Sequence, residues 1–143
     1  MSPDAAVLAE KVAAVERHLR RVADLLPDRP EDLRPMTVES DAVVLHLWQA
    51  VQIAIDLAVS TCVKSGLGSP TSYAEAFRKL SNAGMIETDL SERLTRAAGF
   101  RNAVAHAYED LDMARVHSSA TQGPADLRAF LAAMATLEAA RKR

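Results

Sequence analysis

One short segment of the chain combines an arginine, an asparagine, a histidine and a tyrosine at close spacing. Arg101 and Asn102 are adjacent, His106 follows four residues after Asn102, and Tyr108 comes two residues later. Imidazole moves protons near neutral pH, and the planar fork of an arginine binds phosphate through paired hydrogen bonds. Residues of these types are suited to proton transfer at a phosphate group, although an arginine and a histidine at this spacing often form only a solvated helix face with an ion pair nearby.

The spacing also predicts where these side chains point if the segment is helical. At 100° per residue, the apolar residues between 94 and 111 share one arc, while Asn102 and His106 lie about 100° and 140° from Arg101 and point away from the core. Arg101 and Tyr108 lie about 20° apart at the edge of the apolar arc, two turns from each other. Two small residues lie at about 40° and 60°, between Arg101 and Asn102, and leave room for a ligand or another backbone: Ala105 and Ala98.

The order of Arg, four residues, His, one residue and Tyr resembles the motif of HEPN-domain ribonucleases, and more closely that of their HepT toxin branch. The flanking sequence is similar too, along residues 66–73, 76–80, 83–86 and 98–102. The resemblance extends over roughly residues 41 to 137. It implies a metal-independent endoribonuclease of a toxin-antitoxin pair that needs no cofactor.

The resemblance also implies a role for each motif residue. His106 is the expected acid or base, Arg101 the phosphate ligand and Asn102 a substrate-positioning residue, in a reaction that starts from the ribose 2′-hydroxyl and spares DNA. Because Arg101 and His106 diverge on their own helix, we expect a homodimer with a composite cleft. Tyr108 is the expected site of adenylylation by an MntA-type nucleotidyltransferase antitoxin.

Two other functions compete with catalysis. One is a non-catalytic HEPN subunit that binds nucleotides or partners a nucleotidyltransferase, and the other is a structural helical adaptor. The net charge of −2 fits both, because it lacks the bulk positive charge of a non-specific nucleic-acid binder. An RNase instead needs a local basic site, for which five residues are candidates: Arg78, Lys79, Arg93, Arg96 and Arg101.

Length and composition predict one domain, residues 1–143, with an all-α fold. Hydrophobic residues make up 49% of the chain and aromatic residues only 4%, which suits closely packed helices. We find no targeting segment and no apolar stretch of about 20 residues that would span a membrane, so we expect a cytoplasmic protein.

The expected fold is an antiparallel four-helix bundle with one short extra helix. Apolar periodicity and capping signals predict the boundaries. The first helix spans about residues 3–26, the second runs from Ser40 or Asp41 to Gly66, and the third opens with a capping box at Ser72 and Glu75. Asp89 and Glu92 are expected to cap the fourth helix, and Pro124 to begin the last.

The remaining polar residues are interpreted as structural. Cys62 is expected to pack in the core, the acidic run at residues 109–112 to form turns and caps, and three histidines show no metal-like spacing: His18, His46 and His117. Asp56 and Glu39 are candidates to orient His106 or Arg101 from the second helix.

Overall fold

The chain folds into five α-helices, seen in a computed structural model that describes residues 2–141. Met1, Lys142 and Arg143 lie outside the described residues, so the ends of the expected 1–143 domain do too. The helices are α1 (Pro3–Leu25), α2 (Val38–Lys64), α3 (Tyr73–Asn82), α4 (Thr88–Ala107) and α5 (Met113–Arg141). Single 3-10 turns at Pro30–Asp32 and Tyr108–Asp110 complete the secondary structure of this part.

Four long helices form an antiparallel bundle and short α3 packs beside α2 and α4, which confirms the predicted fold class. Pairs of contacting residues establish the antiparallel directions. Asp4 contacts Lys64 and His18 contacts His46 across α1 and α2, so residue numbers rise on one helix as they fall on the other.

Helix α2 is the centre of the bundle because it packs against each of the other four helices. Its 27 residues have a window of mean hydropathy 1.7, so by length and composition alone it meets the criterion for a membrane span. The expectation that no apolar stretch reaches that length was wrong. A central helix that other helices enclose on several sides is also apolar, because most of its surface faces the protein core. The hydropathy of α2 is therefore weak evidence for a membrane span.

The prediction that the last helix begins at Pro124 was wrong, because Pro124 lies inside α5. An interior proline removes one backbone hydrogen bond and usually costs about 3 kcal/mol. Here α5 buries residues on both sides of the proline, Val116 and Ala120 before it and Leu127 and Phe130 after it. Packing of both halves against the same core holds the helix together across the proline.

The other boundaries lie close to the predicted ones. Ser72 caps α3 as expected, accepting a hydrogen bond from the Glu75 backbone at 3.1 Å, but the Glu75 carboxylate bonds Thr71 and does not close a capping box. Thr37 caps α2, and Glu87, not Asp89, precedes α4. The edge-to-face contact of Phe77 and Phe130, with ring centroids 5.7 Å apart, fastens α3 to α5.

Candidate active site

Arg101 is held against α2 and α3 by an amide and two aromatic rings. Its Nε donates a hydrogen bond to Gln52 Oε1 at 2.6 Å. The guanidinium carbon lies 5.7 Å from the centroid of the Trp48 ring and 5.4 Å from that of Tyr73. Both distances fall within the range of cation–π attraction. The contacts within a single chain therefore fix the position of this arginine.

A short chain of polar contacts extends from both sides of Arg101. Gln52 Nε2 donates to Asp56 Oδ1 at 2.9 Å, which leaves Gln52 Oε1 directed at the arginine. On the other side, Arg101 Nη1 donates to Asn102 Oδ1 at 3.3 Å. Asp56 thus acts on Arg101 indirectly, as expected in outline, whereas Glu39 has no hydrogen bond within the described part of the chain.

His106 has the opposite environment. Its side chain is exposed on the last turn of α4, and it makes no hydrogen bond or ion pair with any described residue. The residues around it on the same helix are small and exposed as well, including Ala103 and Ala105. The imidazole is therefore accessible to a substrate or to another protein chain.

Tyr108 lies just past the end of α4, in the 3-10 turn Tyr108–Asp110. Its hydroxyl donates a hydrogen bond to Asp41 Oδ1, on the first turn of α2. This hydrogen bond, together with partial burial and the charge of Asp41, raises the pKa of Tyr108 to about 12. The phenol therefore stays protonated at neutral pH, with a carboxylate in place to receive its proton.

The helical projection used for Tyr108 was wrong, because the α-helix ends before that residue. Ala107 has φ −147° and ψ 43°, which takes the backbone out of the helical region. Arg101 and Tyr108 nevertheless reach the same side of α2. Their partners, Gln52 and Asp41, are eleven residues apart, which on a helix is about 20° in angle and about 16 Å in length.

The structure therefore brings together some of the predicted site residues and separates others. Arg101 and Asn102 are in contact, Tyr108 lies further along the same side of α2, and His106 is exposed without a hydrogen bond to any of these residues. Sequence reasoning missed the residues that position them, because contacts between helices leave no local pattern. These residues are Trp48, Gln52, Tyr73 and Asp41.

The expected basic residues divide into paired and unpaired ones. Lys79 lies 3.6 Å from the Glu75 carboxylate, and Arg93 Nε lies 2.8 Å from Asp126 Oδ1. Arg78 and Arg96 form no ion pair within residues 2–141, and both line one open cleft between α3 and α4. The local positive charge near the motif helix therefore comes from unpaired Arg78 and Arg96 and from Arg101.

The remaining candidates have structural roles. Cys62 is buried and its Sγ donates to the Ala76 carbonyl, and burial raises the pKa of the thiol. His117 is buried against the Pro27 carbonyl, and Asp112 accepts from the Ala114 backbone at the start of α5. Among the described residues, no three His, Cys, Asp or Glu side chains form a group that could hold a metal ion.

A bundle of this topology, with Arg, His and Tyr grouped at the end of its fourth helix, is a HEPN protein. The family model described as "Ribonuclease HepT-like" matches residues 12–134, so the chain belongs to the HepT-like family of HEPN proteins. The predicted family is thereby confirmed.

Individual relatives agree with this assignment. The chain is 27% identical to the mRNA nuclease HepT of Shewanella oneidensis over 107 residues, which is 75% of this chain and 80% of that protein. Its fold is similar to that of a tri-AMPylated Shewanella oneidensis HEPN toxin in complex with MNT antitoxin, with a TM-score of 0.82 and 24% identity over 94% and 98% of the two chains. A mutant of the toxin-antitoxin MntA-HpeT matches with a TM-score of 0.78 and 25% identity, over 90% and 96%.

Proposed function

We propose that this protein is the ribonuclease toxin of a toxin-antitoxin pair, formed by a single HEPN domain across residues 1–143. The observation that carries the proposal is the pairing of an arginine prearranged by its own protomer with a freely accessible histidine on the same helix. Membership of the HepT-like ribonuclease family supports it. Because RNA is the substrate, we expect the protein to act in the cytoplasm.

In the proposed reaction, His106 transfers protons and Arg101 stabilises negative charge. One His106 takes the proton of a ribose 2′-hydroxyl, whose oxygen then attacks the neighbouring phosphorus. The bond from phosphorus to the 5′-oxygen breaks, and a second, protonated His106 gives its proton to that leaving oxygen. Arg101 offsets the charge that develops on the phosphate, using the guanidinium edge that Gln52 and Asn102 leave open.

This division requires no metal, because histidine supplies the proton transfer and arginine supplies the positive charge. It also requires a 2′-hydroxyl, so DNA is not cut. Asn102, which already bonds Arg101, is placed to hold a substrate oxygen with its side-chain amide.

A homodimer would supply the two histidines. The side of α2 that carries Asp41 and Gln52 also exposes large apolar residues, since Val38 is 82% exposed and Leu45 is 53% exposed. Exposed aliphatic side chains next to a functional motif favour an interface. A two-fold axis near the motif would then bring two exposed His106 side chains and two anchored Arg101 side chains to one cleft.

We propose that an MntA-type nucleotidyltransferase neutralises the toxin through Tyr108. The hydroxyl would attack the α-phosphate of ATP, lose its proton to Asp41 and release pyrophosphate, which leaves AMP on the tyrosine. The partners of Tyr108 and Arg101 on α2, Asp41 and Gln52, lie on one side of that helix and about 16 Å apart along it. A chain of several AMP units would extend along that side toward Arg101, as the tri-AMPylated state of the structural relative suggests.

The test incubates purified protein with total RNA in EDTA beside the His106→Ala variant, after mass spectrometry confirms that Tyr108 is unmodified. We expect cleavage by the parent alone, and RNA ends that carry a cyclic phosphate or its hydrolysis product. Glu109→Ala is the matched control, because Glu109 is exposed on the adjoining turn. Intact RNA with all three proteins would favour the non-catalytic partner subunit instead.

A further inference from the structure

An open cleft of about 500 Å³ separates α3 from the first half of α4. Its lining includes groups that can bind phosphate: Arg78 on α3, Arg96 on α4, and the hydroxyl side chains of Ser81 and Thr88. The Thr95 hydroxyl also lines the cleft, but it donates its hydrogen bond to the Ser91 carbonyl at 2.9 Å. Ser81 and Thr88 hydroxyls lie 3.3 Å apart across the cleft. Guanidinium and hydroxyl donors together are the usual ligands of a nucleic-acid backbone.

The two arginines are available for a ligand. Arg78 and Arg96 are exposed and form no hydrogen bond or ion pair with any residue from 2 to 141. Two basic residues close to them on the same helices form ion pairs, Lys79 with Glu75 and Arg93 with Asp126. A phosphate entering the cleft would not have to displace a carboxylate from either arginine.

The cleft and His106 open onto the same exposed side of α4. Projected along the helix, Thr95, Asn102 and His106 fall within about 40° of one another, and Arg96 lies about 80° from His106. Ten residues separate Arg96 from His106, or about 15 Å along the axis. The surface between them is small and exposed at Gly99 and Ala103, so a strand can follow it closely.

We propose that Arg78 and Arg96 bind a second backbone phosphate of the same RNA strand whose scissile phosphate lies at Arg101 and His106. The strand runs along the exposed side of α4, and the second phosphate lies a few nucleotides from the cleavage point. The inference rests on the proposed ribonuclease function. Glu92, the carboxylate in the cleft lining, would repel the strand and so limit its affinity.

The test measures binding of a fluorescent 2′-O-methyl oligonucleotide, which cannot be cleaved, by anisotropy over a range of salt concentrations. One lost phosphate contact lowers the slope of log K against log salt by about 0.7 on a single strand. We expect this reduction and weaker binding for Arg96→Ala and Arg78→Ala, and tighter binding for Glu92→Gln. Arg128→Ala is the control, because Arg128 is paired with Glu16 on the far side of the bundle.

Cleavage assays separate this inference from the proposed function. Arg96→Ala should lose several-fold more in kcat/KM on a longer RNA than on a dinucleotide, because only the longer strand reaches the cleft. Equal salt slopes for parent, Arg96→Ala and Arg78→Ala would overturn the second subsite while leaving the ribonuclease intact. If the parent neither binds nor cuts RNA, both the second subsite and the ribonuclease function are overturned. If Arg96→Ala or Arg78→Ala binds RNA like the parent but no longer binds a nucleotidyltransferase partner, the cleft is a protein-binding site instead.

Discussion

Arg101 and His106 are five residues apart on one helix, yet their surroundings are opposite. Arg101 is half-buried and contacts Trp48, Gln52 and Tyr73, whereas His106 is exposed and contacts no polar group in the described chain. Tyr108 resembles Arg101 in this respect, since it is anchored on α2 through Asp41.

This difference shows which side chains of the site a single chain holds in position. Charge stabilisation requires a donor that is already in place before the reaction, and the anchoring of Arg101 meets this requirement. In the proposed reaction, one group takes a proton from one oxygen and another gives a proton to a second oxygen, whereas each chain has one motif histidine. One chain thus positions its arginine, and the proposed homodimer would supply the second histidine.

Mixing the parent with an inactive variant tests this comparison with the largest expected effect. Arg101→Ala and His106→Ala should each lower RNA cleavage by about 10² to 10⁴-fold. If the proposed dimer needs both of its histidines, parent chains that are unfolded and refolded with an excess of His106→Ala will pair mostly with the variant and have one histidine in the cleft. We therefore expect the initial rate per parent chain to fall as the fraction of variant rises. A rate per parent chain that does not depend on the fraction of variant would contradict the composite site.

Stability should separate the same two variants by a smaller amount. Arg101→Ala removes two hydrogen bonds and two cation–π contacts, so we expect a loss of about 1–2 kcal/mol in the free energy of unfolding. His106→Ala removes an exposed side chain that makes no hydrogen bond or ion pair within the described residues, and its effect should stay within about 0.5 kcal/mol. Urea titration followed by circular dichroism measures both, with exposed Arg96→Ala as the control. Equal losses would mean that Arg101 is not anchored in solution.

Sequence periodicity predicted the features that depend only on residues within one helix or turn. The helices, the Ser72 cap and the exposure of His106 follow from patterns within one element. The prediction that Pro124 begins a helix was wrong because core packing on both sides outweighs the lost backbone bond. The direction of Tyr108 was wrong because a helical projection does not continue past Ala107.

The partners of the motif could not be predicted, for a related reason. Gln52 and Trp48 belong to α2, and nothing in their spacing relates them to a residue fifty positions later. Asp41 meets Tyr108 only because α2 and α4 run antiparallel at a particular register. The sequence shows which residues can do chemistry, and the packing of helices decides which of them are held in place.

The anchoring of Tyr108 can be tested by titration. The hydrogen bond to Asp41 raises the tyrosine pKa to about 12, so Asp41→Asn should lower it toward the ordinary value of 10. Ultraviolet absorbance of the phenolate measures the change, and Tyr108→Phe identifies the signal among the two tyrosines. Glu39→Gln, two residues away, should leave it unchanged. The raised pKa also means that this contact stabilises the fold below pH 10 and is lost as pH rises toward 12.

The smallest expected effect is on the pH dependence of stability, and it concerns a partly buried pair of histidines whose surroundings differ from those of exposed His106. His18 and His46 Nδ1 atoms lie 3.0 Å apart between α1 and α2, so one proton can be shared there and a second is repelled. Burial, His46 and Arg17 lower the pKa of His18. Since the unfolded chain then takes up a proton that the folded chain resists, stability should fall as pH drops below 6.5. Melting curves between pH 7.5 and 5 should show a smaller fall in stability for His18→Asn than for the parent. Equal falls in the two proteins would contradict a contribution from this pair.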